Sequence, residues 1–314
     1  MNPTEHANAF QAYGIRGTPG FVVTDAGGTA LVDDDKMSGV VRGGGPPQQV
    51  ATEMLGYAAQ RAAGGQVVTD PATLAALQDI LSASGAGDKA KELLESALKS
   101  PDASDEQLRG LRLLKALEAR LGGDPAAGLK LLGEAYPELT CAEPAAPVPD
   151  LVAPFTVKAG DKTLGTLSSA LDIATAARVL SFAAAHGKDT VSAASVPADD
   201  LVGCLAYAVA FGDSALATAC LDKIGDGHDL KASDLAHAGF LRGWMLASAG
   251  KDSLKDATDQ LATVARSYPG EPFAPDALVI LAKAAEKAGD TKTAGDAKSL
   301  AKQIYGDRLP KRLK

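Results

Sequence analysis

The chain has 314 residues and a mass of 31.8 kDa, enough to bury a large core and, at roughly 150 residues per domain, to form about two domains. Its 61 alanines, set against 4% aromatic and 22% charged residues, mark a globular, helix-favouring sequence short of bulky core residues, which excludes a disordered polymer and a disulfide-stapled mini-domain. A net charge of -8 argues against general binding to nucleic-acid backbones, and no apolar run approaches the roughly 20 residues that a bilayer span requires.

The opening residues, MNPTEHANAF, lack a basic start, an apolar stretch and a cleavage site, so the chain as written is expected in the cytoplasm. A start further upstream would instead make it periplasmic or exported. A helix is expected at about 3 to 13, followed by the apolar strand Phe21-Val22-Val23, a turn at Gly27-Gly28, a second strand near Val40-Val41 and a helix opened by Pro46-Pro47. Asp33-Asp34-Asp35 reads as a solvated tip, since no glycine-punctuated cation loop surrounds it, and Gly43-Gly44-Gly45 as a plain turn. Gly14-Ile15-Arg16-Gly17-Thr18-Pro19, the strand after it and the stretch from Gly43 to Met54 resemble the C-terminal half of a thioredoxin-superfamily domain. The resemblance implies that Arg16, Gly17, Thr18 and Pro19 form that family's cis-proline loop, which offers backbone hydrogen bonds to an extended substrate. The family's Cys-x-x-Cys would lie upstream of Met1, which leaves half a site. A two-stranded hairpin with two helices also leaves an open sheet edge, to be covered by the first helical repeats, a second chain or an upstream segment.

From residue 67 a different pattern takes over. A Gly-Asp pair with a small residue five positions after the glycine occurs at Gly123-Asp124 with Gly128, at Gly212-Asp213 with Ala217 and at Gly289-Asp290 with Ala294. Looser copies fall at Gly87-Asp88 and at Gly250, where Asp252 and Ala257 suggest a two-residue expansion. The glycine can end one helix in the left-handed conformation, the aspartate can cap the next, and the small residue lets the two helices approach. Apolar residues such as Leu108, Leu111, Leu114 and Leu117 recur at helical spacing around these marks. The interruption at YPELTCAEPAAPVPDLVAPF carries Pro137, Pro144, Pro147, Pro149 and Pro154 and reads as an extended spacer, followed by a hairpin from Phe155 to Leu167 with Gly160-Asp161 in its turn. Helices are then expected at about 168 to 187, 197 to 211, 213 to 224, 232 to 249, 253 to 267, 274 to 288 and 291 to 305. The stretch from Phe240 and Trp244 through Ala257 and Leu261 to Tyr268-Pro269, and Ala277 to Ala294 after it, resemble the tetratricopeptide repeat. That resemblance implies a concave partner-binding surface.

Cys204 and Cys220 lie eight residues on either side of Gly212, at one height of an antiparallel hairpin, and read as two buried thiols or as a disulfide. Cys141 beside Pro144 is expected to be exposed, with nothing basic nearby in sequence to activate it. His6, His186 and His237 stand singly, and Asp226-Gly227-His228-Asp229 reads as a capping loop. Arg308, Lys311, Arg312 and Lys314 read as a solvated basic tail. The usual serine-nucleophile, zinc-helix and phosphate-loop signatures are missing, so no catalytic residue, metal or cofactor is assigned.

The sequence therefore predicts a mostly α chain: a thioredoxin-like α/β segment at 1–63, helical repeats at 67–136, a Pro-rich linker with a short hairpin at 137–167, and a tetratricopeptide-like helical array at 168–314. The expected function is a non-catalytic scaffold that binds a protein or peptide, with homo-oligomerisation or a partner completing the N-terminal sheet as further expectations and neither nucleic acid nor a membrane span involved. The alternative is a thiol-disulfide oxidoreductase, or a thioredoxin-like chaperone, whose Cys-x-x-Cys half lies upstream.

Overall fold

The structure, a computed structural model, describes residues 23–24, 30–32, 67–83, 87–225, 230–306 and 309–313. The helix expected at 3 to 13, the loop of Arg16, Gly17, Thr18 and Pro19, the Asp33-Asp34-Asp35 tip, the Gly43-Gly44-Gly45 turn and the Asp226 to Asp229 loop lie outside the described residues. The chain divides into two units, Met1–Thr69 with Ala76–Ala103, and Asp70–Ala75 with Ser104–Lys314. The described part is mostly helical with two small antiparallel sheets, one of two strands and one of three.

In the first unit, strand β1 (Val23–Thr24) pairs antiparallel with β2 (Ala30–Val32), Val23 opposite Val32. The partner strand thus comes earlier than the expected Val40-Val41, which lies outside the described residues. Leu31 and Val32 supply apolar residues at shorter range, and a local hairpin closes at lower entropic cost. Helix α1 spans Pro71–Ala83, and α2 (Gly87–Leu98) buries Ala90, Leu94 and Ala97, spaced for one helical face. Gly87 opens α2 as a helical residue, so the Gly87-Asp88 copy does not have the left-handed glycine of the other turns.

The second unit holds helices α3 (Asp105–Leu121), α4 (Pro125–Ala135), α5 (Ile173–His186), α6 (Leu201–Phe211), α7 (Ser214–Gly225), α8 (Ala232–Ala249), α9 (Leu254–Ser267), α10 (Ala274–Lys287) and α11 (Thr291–Tyr305). Pairs α3–α4, α6–α7, α8–α9 and α10–α11 are antiparallel neighbours joined by short turns. Three of those turns share one chemistry. Gly123, Gly212 and Gly289 take φ of 89°, 78° and 75°, a region costly for residues with a Cβ. The aspartate after each glycine bonds its N–H to the carbonyl five residues back, at Ala119, Ala208 and Ala285 (2.9, 2.8 and 2.9 Å). Its carboxylate then accepts the N–H three residues on, from Ala127, Leu216 and Thr293 (3.1, 3.0 and 3.0 Å). At Gly250, φ is 109° and a 3-10 turn at Lys251–Ser253 precedes α9, which accounts for the extra residues there.

Alanine fills the helix contacts: Ala176, Ala183, Ala208, Ala217, Ala257 and Ala277 are fully buried. Gly128 is tighter still, since a Cβ there would meet Arg120 Cγ at 2.3 Å and the Ala116 carbonyl at 2.9 Å. Two contrasting outcomes follow for unfolding in urea. Asp213→Ala removes a cap and should cost about 1 kcal/mol. Gly133→Ala and Gly295→Ala, on faces of α4 and α11 where a Cβ meets nothing within 4 Å, should each stabilise by roughly 0.5–1 kcal/mol.

The Pro-rich interval contains the three-stranded sheet. Strands β4 (Phe155–Ala159) and β5 (Lys162–Leu167) form a hairpin in which Ala159 faces Lys162 across the Gly160-Asp161 turn. A third strand that the sequence does not announce, β3 (Thr140–Ala142), pairs with β4, setting Cys141 opposite Val157. Phe155, Val157 and Ala159 face inward. The segment is pinned by Arg120 of α3, whose side chain is 1% exposed. Its Nε donates to the Ala153 carbonyl and Ser169 Oγ (3.2 and 3.1 Å), and Nη1 to the Pro125 carbonyl and Glu143 Oε1 (3.2 and 2.9 Å). Nη2 donates to Glu143 Oε2 (3.2 Å) and the Pro154 carbonyl.

Candidate functional site

Two groups of side chains carry chemistry in the second unit. The first was marked by spacing. Cys204 of α6 and Cys220 of α7 are both fully buried free thiols on adjoining helices. The left-handed turn at Gly212 and the fully buried Ala208 and Ala217 bring the two helices together at this level. Interaction with the Cys220 thiol, then burial, raises the Cys204 thiol far above its ordinary range. The same interaction, assisted by the charge of Lys223, lowers that of Cys220 against the opposing effect of burial. Lys223 is itself held by the carbonyls of Ala193 and Val196 (3.1 and 2.7 Å). The third cysteine, Cys141, is half-buried on β3 rather than exposed, and burial pushes its thiol up to about 11 although Arg120 opposes the shift. At neutral pH it is a poor nucleophile.

The second group joins residues that look solitary in the sequence. Asp172 caps α5, its Oδ1 accepting the Thr175 N–H at 2.9 Å, while its Oδ2 is buried without a hydrogen-bond partner. Thr175 Oγ1 lies 2.8 Å from His237 Nε2 on α8, a contact between helices 62 residues apart in sequence. The His237 ring stacks on Phe273 with centroids 4.5 Å apart and planes at 22°. Beside it Arg178 of α5 pairs with Asp234 of α8. Arg312, expected in a solvated tail, is instead largely covered: its Nη2 donates to Asp276 Oδ2 and the Pro272 carbonyl (2.7 and 3.3 Å), and its side chain is only 15% exposed. Burying a guanidinium against a carboxylate costs less than leaving the carboxylate alone in the interior, although Arg312 Nη1 is buried without a hydrogen-bond partner. Burial raises the Asp172 carboxyl, opposed by the Arg312 charge and by bonds from Thr175, and burial also raises that of Glu271.

A hydroxyl beside an imidazole is the geometry of an activated nucleophile. Here both Thr175 and His237 are covered, at 0% and 1% exposure, so the pair ties α5 to α8 and presents no atom to a substrate. Burial, reinforced by Arg178, holds His237 neutral down to about pH 3. An unfolded imidazole takes up its proton near pH 6.5, so between those values the unfolded chain binds more protons and stability falls as pH falls. The expected contribution is about 1.4 kcal/mol per pH unit below pH 6.5, and none above it. Urea unfolding of the protein and of His237→Gln from pH 8 to pH 4.5 should show that slope in their difference, in which Asp172 and Glu271, whose raised carboxyls act in the opposite sense, cancel to first order.

The loop of Arg16, Gly17, Thr18 and Pro19 lies outside the described residues, so the structure adds nothing to its reading. Among the described residues, no three His, Cys, Asp or Glu side chains gather as a metal site, and no helix is long and apolar enough to cross a membrane. No family model, no curated protein and no solved structure matches the chain.

Proposed function

We propose that the protein is a non-catalytic interaction scaffold whose helical hairpins, of tetratricopeptide-like type, bind a protein or peptide partner, with residues 1–63 as a degenerate thioredoxin-like module. The observation that carries this reading is the recurrence of one turn chemistry, a left-handed glycine followed by a capping aspartate, at Gly123, Gly212 and Gly289. A hairpin unit reused along a chain builds an extended surface, and such surfaces serve recognition. The interior polar groups fit the same reading, because Thr175, His237 and Arg120 spend their hydrogen bonds on neighbouring helices and strands. The full chain, tagged and purified from its native cells at moderate salt, should bring down a protein in whole-number ratio that stays with it through size-exclusion chromatography. A single species at the monomer mass, with nothing bound, would overturn the proposal.

A further inference from the structure

We propose that the surface under residues 309–313 is a docking site for a partner's basic segment of the form Leu-Pro-x-Arg, occupied in this structure by the chain's own copy as a displaceable plug. The inference rests on the reading of the protein as an interaction scaffold and gives the partner its chemistry. Leu309 packs against the apolar cluster of Ala265, Ala274, Leu278 and Tyr305, contributed by α9, α10 and α11. Pro310 beside it is buried, while Lys311 is exposed. The short 3-10 turn Lys311–Leu313 then carries Arg312 inward, where its Nη2 donates to Asp276 Oδ2 in the first turn of α10 and to the Pro272 carbonyl (2.7 and 3.3 Å). An apolar anchor and a cationic anchor three residues apart, each in its own buried place, make up a recognition pattern.

Charge and incomplete satisfaction make the plug displaceable. Lys311, Arg312 and Lys314 stand on a chain whose net charge is -8, so the segment is held to its site by opposite charge, as a basic partner would be. Two carboxylates are set around the one guanidinium: Asp276, with its side chain 7% exposed, and the fully buried Asp172 at the start of α5, on which the Arg312 charge also acts. Yet Arg312 Nη1 and Asp172 Oδ2 are both buried without hydrogen-bond partners. The tethered arginine thus leaves a donor and an acceptor of the site unused, each at a desolvation cost. An arginine arriving on a separate chain is free of that tether and can engage both carboxylates. Arginine, not lysine, is the residue for such a site, because its planar fork presents donors on two edges.

The test uses the full chain and a fluorescein-labelled peptide of residues 309–314, LPKRLK. Arg312→Glu, which sets a carboxylate against Asp276 and Asp172, vacates the site, and circular dichroism reports whether the helices are kept. Fluorescence anisotropy should show saturable binding to Arg312→Glu at least about tenfold tighter than to the unaltered chain, whose tethered copy competes at an effective concentration in the millimolar range. A peptide with Arg312→Lys, equal in charge, should bind at least about tenfold more weakly than the parent peptide. If Arg312→Glu loses its helices, the unaltered chain decides. A peptide carrying benzophenone in place of Leu313, at millimolar concentration, should crosslink to the tryptic segment 267–283, and unlabelled peptide should suppress the product. Peptide binding and capture of a native partner are separate readouts, so either can fail alone. No saturable binding to a folded Arg312→Glu chain, equal affinity of that variant and the unaltered chain, equal affinity of the arginine and lysine peptides, or crosslinks confined to other segments would overturn the proposal.

Discussion

Arg120→Ala is expected to lower stability by about 3–5 kcal/mol, because it removes a buried cation and strands the carbonyls gathered around it. The six hydrogen bonds of this guanidinium reach five residues, Pro125, Glu143, Ala153, Pro154 and Ser169, so one side chain ties the start of α4 and both ends of the Pro-rich interval to α3. Its face also lies 5.6 Å from the centroid of the Phe155 ring. Among those partners the carbonyls matter most. Glu143 is 55% exposed and can turn to water, so Glu143→Gln should cost no more than about 1 kcal/mol. The carbonyl of Ala153 belongs to a residue with φ of 41°, a left-handed conformation that a non-glycine residue holds only where its surroundings impose it. Ser169 Oγ donates to the same carbonyl at 2.6 Å. Arg120→Lys should not rescue the protein, since an ammonium cannot span donors on both edges of a planar fork. Urea unfolding gives the magnitude. Amide exchange gives the location: protection at Val157, in the middle strand, should fall in Arg120→Ala more than protection in α10.

Gly128 couples to the same side chain. Gly128→Ala should cost about 1–3 kcal/mol because its Cβ would overlap Arg120 Cγ and the Ala116 carbonyl. In the Arg120→Ala background the first overlap is gone while the second remains, so the double variant should be less destabilised than the sum of the two single changes.

What could be read from the sequence and what could not divide along one physical line. Gly123-Asp124, Gly212-Asp213 and Gly289-Asp290 are local devices: the left-handed residue and the cap act within five residues, so spacing alone locates the turns. The burial of Cys204 and Cys220 on the two helices joined at Gly212 follows from the same locality, because equal distances from that glycine set the height of each on its helix. Strand β3 has no such mark. Thr140, Cys141 and Ala142 are too few to show alternation, and their pairing is fixed by β4 after a Pro-rich excursion. The environments of His237 and Arg312 are equally hidden. Thr175, Phe273, Asp276 and Pro272 converge on them from separate segments, and a lone histidine or a terminal basic run looks the same in sequence whether it is packed or solvated. Arg120 is the clearest case, since α3 alone presents it as a routine charged residue in a last turn.

Phe273→Ala should be as damaging as the loss of Arg120, by about 3–5 kcal/mol at pH 7.5, and should also change how stability responds to acid. Phe273 is 1% exposed and lies against two rings, His237 at 4.5 Å and Phe240 at 5.3 Å between centroids. Truncation removes that stacking along with the buried area and opens a space beside the imidazole. Burial is the first cause of His237's low affinity for protons, so admitting water there should move its pKa from about 3 back toward its ordinary value. A raised folded-state pKa narrows the interval over which the unfolded chain alone takes the proton. The slope of stability against pH below 6.5 should therefore be shallower in Phe273→Ala than in the parent protein, while the curves stay parallel above it. Phe273→Leu, which fills more of the space, should restore part of the stability and part of the slope together. Recovery of one without the other would separate packing at Phe273 from the desolvation of His237.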